Sequence, residues 1–118
     1  NVILPLLYSK RFHHQKKARV EQILKEVGLF EKRHQPVTKL SGGQRQRVAN
    51  ARAMVNDASV LLCDEPTGAL DRATGDEIIR LFMKLHEQGK TLIIVTHDET
   101  VAKHCERVIR ITDGRIEQ

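Results

Sequence analysis

Aromatic side chains are almost missing from this 118-residue chain: tryptophan is absent, and Tyr8, Phe12, Phe30 and Phe82 are the whole aromatic complement. Platforms on which single-stranded bases stack are therefore poorly supplied. The two cysteines, Cys63 and Cys105, stand apart, with neither Cys-x-x-Cys spacing nor a histidine at ligand spacing. That pattern speaks against a zinc site and fits a reducing compartment. No apolar run approaches membrane-spanning length, and the opening stretch from Asn1 to Leu7 lacks the basic lead and small-residue cleavage site of a signal peptide. Internal repeats and low-complexity tracts are missing too. The first residue is Asn rather than Met, which reads as a piece of something longer.

What is present is ordinary for a soluble globular protein: 40% hydrophobic and 30% charged residues, enough for one small domain or part of a larger one. Twenty Lys and Arg against fifteen Asp and Glu leave a formal charge of +5. This balance suits phosphate-bearing partners such as nucleotides, nucleic acid or acidic membrane surfaces. Much of the charge lies in Lys10-Arg11, Lys16-Lys17-Ala18-Arg19 and Lys32-Arg33, which read as solvated helix faces.

Hydrophobic periodicity divides the chain. Residues 1–8 form an apolar segment interrupted by Pro5, which suits the first turn of a helix or a place before one. Val20, Ile23, Leu24 and Val27 recur at helical spacing from His14 onward and stop at Gly28, predicting an amphipathic helix with a glycine just past its end. Gln35 to Lys39 should be an extended connector, because the residue before Pro36 avoids the helical region. Gln44 to Val55 reads as a second helix, with small residues that permit close packing. Ser59 to Cys63 and Thr91 to Val95 are short unbroken apolar runs, predicting strands buried on both faces. Between them Asp71 is suited to cap a helix running to about Gln88, with Ile78, Ile79, Phe82 and Leu85 inward and Gly89 closing it. Strand, helix, strand in that order predicts a parallel crossover. Asp98 is suited to cap a short helix, and Asp113-Gly114 is a hairpin turn between apolar flanks. The fold class is α/β: a helical front third, then a parallel-sheet core with an antiparallel end.

Chemistry collects at a few points. Leu40-Ser41-Gly42-Gly43-Gln44 opens a helix whose first N–H groups have no internal partners and carry partial positive charge, a seat for an anion. Ligands of parallel sheets sit beyond the carboxyl ends of strands, and both apolar runs end there in reactive residues. Asp64-Glu65 ends the first; adjacent acids point in different directions, so one can serve a Mg²⁺ ion and the other an attacking water. His97 follows the second and is a candidate donor to a phosphate oxygen. His13, His14, His34, His86 and His104 have no such context and read as surface residues.

In order and spacing, Leu40 to Gln44, Val60 to Glu65, Ala69-Leu70-Asp71 and His97 resemble the signature motif, Walker B, D-loop and switch histidine of an ABC transporter ATPase domain. The opening Asn1 to Leu6 and the wording Pro66-Thr67-Gly68-Ala69-Leu70-Asp71 are most similar to the subfamily of macrolide exporters, lipoprotein-release ATPases and antimicrobial-peptide exporters. The resemblance implies the C-terminal part of a P-loop NTPase domain of RecA-like type. Residues 1–40 would be the remainder of the helical subdomain that docks on membrane subunits, and 41–118 the C-terminal part of the ATPase core.

It also implies roles. Glu65 would polarise or deprotonate the attacking water, Asp64 would hold the Mg²⁺ shell, and His97 would contact the γ-phosphate. Ser41 and Gly43, with Gly42 and Gln44 beside them, would seat the γ-phosphate of ATP held by a second, head-to-tail protomer, and Asp71 would reach across the same interface. The partners implied are transmembrane subunits or domains and a second ATPase protomer, with no nucleic acid expected. The implied location is cytoplasmic, peripheral at the inner face of the cell membrane.

The Walker A loop, its preceding base-stacking aromatic and the Q-loop glutamine of that family cannot be assigned. Gly89-Lys90-Thr91 does not supply the loop, since the first glycine would have to stand at Lys84 and the triplet leads from helix into strand. The piece alone is therefore expected to hydrolyse little ATP. The sheet position beside the strand ending at His97 should be empty, predicting marginal stability or oligomerisation. Two other readings stand beside this one: a DNA-maintenance or repair ATPase head, disfavoured by the lack of a heptad run, and a non-catalytic remnant.

Overall fold

The structure, a computed structural model, describes residues 16–117. The expectations for residues 1–8, for Lys10-Arg11 and for His13 and His14 lie outside the described residues. Helix α1 (Lys16–Glu26) leads through 3-10 turns at Phe30–Lys32 and Val37–Lys39 into helix α2 (Gly42–Met54). Strand β1 (Val60–Asp64), helix α3 (Arg72–Glu87) and strand β2 (Thr91–Val95) follow, then a short helix α4 (Glu99–Ala102) and a hairpin of β3 (Ile111–Thr112) and β4 (Arg115–Ile116).

The helix ends form where the sequence places them. α1 closes in a Schellman motif: the Leu29 N–H donates to Leu24 O at 2.8 Å and the Gly28 N–H to Lys25 O at 3.1 Å, with Gly28 at φ 71°. Ser41 caps α2 and Asp71 caps α3 through their side-chain oxygens. Asp113 and Gly114, at φ 51° and 74°, form the two-residue turn that pairs Ile111 with Ile116 and Thr112 with Arg115. Val108 to Arg110 lie outside the strand, so the hairpin is shorter than the apolar flank suggests. The connector before α2 is not extended throughout: Pro36 is (ψ 141°), but Val37 to Lys39 wind into a 3-10 turn closed by the Leu40 N–H on Val37 O. Pro36 restricts only the residue before it, which leaves the three after it free to turn.

Two apolar clusters result. Ile23, Leu24, Val27 and Leu29 pack with Leu40, Val48, Ala51, Met54 and Val55, joining α1 to α2. The guanidinium of Arg19 adds a cap to that pairing, donating to the terminal carbonyls of α2 at Met54 (3.2 Å) and Val55 (3.4 Å). The second cluster sets Ile78, Ile79 and Phe82 of α3, with Val101, against Cys63, Leu92 and Ile94 of the strands. Phe82 is the largest fully buried side chain among the described residues, and truncating such a ring typically costs about 3–5 kcal/mol.

β1 and β2 pair in parallel, Val60 with Thr91 through Asp64 with Val95. They are not buried on both faces. Leu61 is buried and Leu92 and Ile94 are half-buried against α3, but Val60, Leu62 (73% exposed), Ile93 and Val95 (61% exposed) point the other way. A single helix layer covers one face, and none of the described residues covers the second. β2 has β1 as its sheet neighbour and no other among the described residues.

Candidate functional site

The carboxyl end of the two-stranded sheet is where the chemistry converges. Glu65 follows β1 in a left-handed backbone conformation, φ 45°, which a residue with a Cβ adopts only when its surroundings hold it there. Its N–H donates to Val95 O at 2.8 Å, and its carbonyl accepts from the Gly68 N–H at 3.0 Å. The side chain is held as firmly. Oε1 receives the His97 backbone N–H at 2.9 Å and lies 2.7 Å from His97 Nδ1, while Oε2 accepts from Thr96 Oγ1 at 3.1 Å.

These donors favour the ionised carboxylate and hold its pKa below the ordinary 4.5, the His97 side-chain bond contributing most and partial desolvation opposing it. Thr96 also accepts the Asp98 N–H at 3.0 Å, so its hydroxyl is oriented from both sides. His97 itself is 87% exposed, its ring fixed at Nδ1 by the carboxylate. Asp64, at the last position of β1, is exposed, and its carboxylate makes no hydrogen bond or ion pair among the described residues.

The glycine-rich start of α2 is a capping box. Ser41 Oγ accepts from the Gln44 N–H at 3.1 Å, and Gln44 Oε1 accepts from the Ser41 N–H at 3.0 Å. This divides the labour among residues the sequence suggests as one anion seat. Ser41 and Gln44 satisfy each other, whereas the N–H groups of Gly42 and Gly43 meet no acceptor among the described residues. The two glycines differ. A Cβ on Gly43 would sit 3.1 Å from Ala69 O and 3.4 Å from Leu70 Cδ2, so the loop before Asp71 closes over this residue. A Cβ on Gly42 would meet nothing within 4 Å, and its backbone lies on an open surface.

Asp71 accepts from the Thr74 N–H at 3.2 Å, and the Thr74 side chain, followed by this N–H, holds its carboxyl below the usual carboxylate range. The structure thus brings Glu65 to His97, and Gly43 to the loop that leads to Asp71. No hydrogen bond among the described residues joins the start of α2 to Glu65 or His97 within the chain. Thr96, Arg47, Asn50 and Thr74 are the participants that spacing alone does not reveal. Thr96 sits beside His97 at the end of an apolar run, and the one sequence signal for it is a hydroxyl at a strand end facing an acid. Buried Asn50, which donates from Nδ2 to Pro66 O at 3.4 Å, looks in the sequence like any polar residue of an Arg- and Gln-rich helix.

A family profile described as "ABC transporter" matches residues 3–68, more than half of the chain. This chain belongs to the ABC transporter family. Among its relatives is the macrolide export ATP-binding/permease protein MacB of Bradyrhizobium diazoefficiens, 48% identical over 116 residues that span 98% of this chain and 18% of that protein. An uncharacterized ABC transporter ATP-binding protein of Thermotoga maritima is 50% identical over 117 residues, 99% of this chain and 50% of that protein. The bacterial ABC transporter cassette MJ0796, solved as a dimer, superposes with a TM-score of 0.90 at 42% identity, over 99% of this chain and 53% of the cassette. Its dimeric post-hydrolysis state bound to ADP and Pi superposes at 0.89 with 43% identity. This ABC transporter chain therefore spans about half or less of the length of these relatives. Its fold is that of part of an ABC ATPase cassette. No helix among the described residues is long and apolar enough to cross a membrane.

Proposed function

We propose that this chain is the signature and Walker B part of the ATP-hydrolysing unit of an ABC-type exporter, which powers transport by closing head to tail on a second protomer around ATP. The observation that carries the reading is the Glu65 carboxylate, ionised and oriented by His97 and Thr96 at the carboxyl end of β1 and β2. A carboxylate held in this way is oriented to polarise, or to take a proton from, water attacking a γ-phosphate. With Nδ1–H donated to Glu65, the other ring nitrogen of His97 donates to a phosphate oxygen only when the ring carries both protons.

The residues present suit Mg²⁺ in the usual manner of phosphoryl transfer. Asp64 offers one unengaged, exposed carboxylate, and among the described residues no cluster of three or more metal-ligating side chains forms a closed cage. Asp64 would hold such an ion, which would supply charge neutralisation at the phosphates. The open N–H groups of Gly42 and Gly43 suit the γ-phosphate of ATP held by the second protomer, with Ser41 and Gln44 fixing the helix start and Asp71 reaching across the interface. The phosphate cradle is assigned to sequence other than residues 1–118, so this chain alone is proposed to be inactive. Residues 1–40 are assigned to the helical subdomain and 41–118 to the core. Membrane partners, export and a place at the inner membrane face belong to the same proposal; the likeness to MacB, a macrolide export ATP-binding/permease protein, supports the first two.

The test is steady-state ATP hydrolysis by the native polypeptide that carries this chain, with and without Glu65→Gln. The amide keeps the shape and accepts no proton, so the rate should fall by at least about 10²-fold while ATP-driven dimerisation persists. Undiminished hydrolysis by the variant would overturn the reading.

A further inference from the structure

One face of α2, at positions 43, 47 and 50, lies against the segment between Glu65 and α3. Gly43 meets Ala69 and Leu70 at its start, and Asn50 holds the carbonyl of fully buried Pro66 three residues beyond Arg47. Arg47, between them, makes the longest reach. Its Nη2 donates to Thr74 Oγ1 at 2.9 Å and its Nη1 to Val27 O at 3.4 Å, the orphan carbonyl at the end of α1. Thr74, buried in the first turn of α3, in turn donates its N–H to Asp71. A planar fork with separate donors suits two acceptors on different elements, which a single ammonium does not.

Gly28 makes this reach possible. A Cβ there would stand 2.9 Å from Arg47 Nη1, so the glycine that ends α1 also leaves the room through which the guanidinium reaches Val27. The two apolar clusters of the fold, α1 with α2 and α3 with the sheet, are thereby joined by a polar strut as well as by packing.

We propose that Arg47 is a positioning residue for Asp71, a strut that ties the first turn of α3, which holds Asp71, to the C-terminal end of α1, so that movement of the helical part of the chain reaches the nucleotide-facing edge through Thr74. The role in hydrolysis rests on the proposed function; the strut itself does not.

The strut is read by amide hydrogen exchange of the native polypeptide that carries this chain, comparing Arg47→Met, which keeps the stem and loses both bonds, Arg47→Lys, and Gly28→Asn, which tolerates the left-handed backbone but adds the Cβ. Exchange at Thr74 and Gly75 should rise about tenfold in Arg47→Met and Gly28→Asn and by less in Arg47→Lys, with the amides of Ile23 to Val27 unchanged. Combining Gly28→Asn with Arg47→Met should add nothing. Unchanged exchange at Thr74 and Gly75, or a uniform rise across the chain, overturns the strut. For hydrolysis, Arg47→Met should lower kcat with KM for ATP unchanged; an unaltered kcat alongside faster local exchange overturns the positioning role. A wild-type polypeptide that hydrolyses no ATP overturns the proposed function and leaves exchange to decide the strut.

Discussion

His97 places both its backbone nitrogen and its Nδ1 on one oxygen of Glu65, at 2.9 and 2.7 Å, while Thr96 holds the other oxygen. Two consecutive residues after β2 thus lock an acid that follows β1, and the lock depends on strand register: Asp64 pairs with Val95, so the next residues on each strand come face to face.

Thr96→Val keeps the shape and removes the hydroxyl that donates to Glu65 and accepts from Asp98. The Glu65 pKa should move up toward its ordinary 4.5, measured by carboxyl-carbon NMR titration, and stability should fall at neutral pH. The sign for the wild type follows from the lowered folded value. Stabilisation by this carboxylate is fully present above 4.5 and is lost as pH falls through the folded pKa, so acid melts of Glu65→Gln and wild type should converge.

Substitutions at the start of α2 should separate folding from nucleotide contact. Ser41→Ala removes the cap and should cost about 1 kcal/mol in denaturant melts. Gly43→Ala forces the Ala69 carbonyl to give way and should cost a similar amount, about 1 kcal/mol. Gly42→Ala meets open space and should leave stability within about 0.5 kcal/mol. On the proposed function, ATP-driven dimerisation followed by size-exclusion chromatography is nevertheless lost in Gly42→Ala, because the added methyl occupies the path of the incoming phosphate.

His86 bonds Lys90 O at 2.9 Å through Nδ1 and approaches Glu106 at 3.2 Å through Nε2, two acceptors that are both satisfied only by the doubly protonated ring. Its pKa is raised, chiefly by the Lys90 carbonyl and then by Glu106. The stabilisation is therefore complete below the ordinary 6.5 and disappears as pH rises through the folded value. Melting temperatures of wild type and His86→Gln should differ most in mild acid and draw together in mild alkali.

In the isolated chain of residues 1–118, the sheet face that the described residues leave uncovered should govern self-association. Leu62→Lys, at a position 73% exposed, should raise the monomer fraction in sedimentation at little cost to stability. Leu61→Lys, one residue earlier and 5% exposed, should unfold the chain, because the strand's alternation turns it inward. Equal effects from the two would show that the faces are not distinct.

Local features are legible because their causes are local. The Ser41 and Gln44 pair, the Asp71 cap, the Gly28 terminus and the Asp113-Gly114 turn each depend on residues no more than a few positions apart, and each forms. Among the described residues the unbroken apolar runs are covered on one face only. Such a run records that both faces suit an apolar environment, and α3 supplies that environment to one of them. Val37 to Lys39 depart from expectation for a different reason, since a proline constrains its predecessor and says little about the three residues after it.

By itself the sequence determined the α/β order, the helix caps and the spacing of Ser41, Asp64, Glu65, Asp71 and His97, because periodicity and capping act within a turn or two of backbone. Only the tertiary structure decided that Glu65 adopts a left-handed backbone and is gripped by Thr96 and His97, that Gly43 is covered while Gly42 is open, and that Arg47 bridges Val27 and Thr74. Those contacts join residues twenty or more positions apart. Their partners are chosen by strand register and helix packing, which no short window of sequence contains.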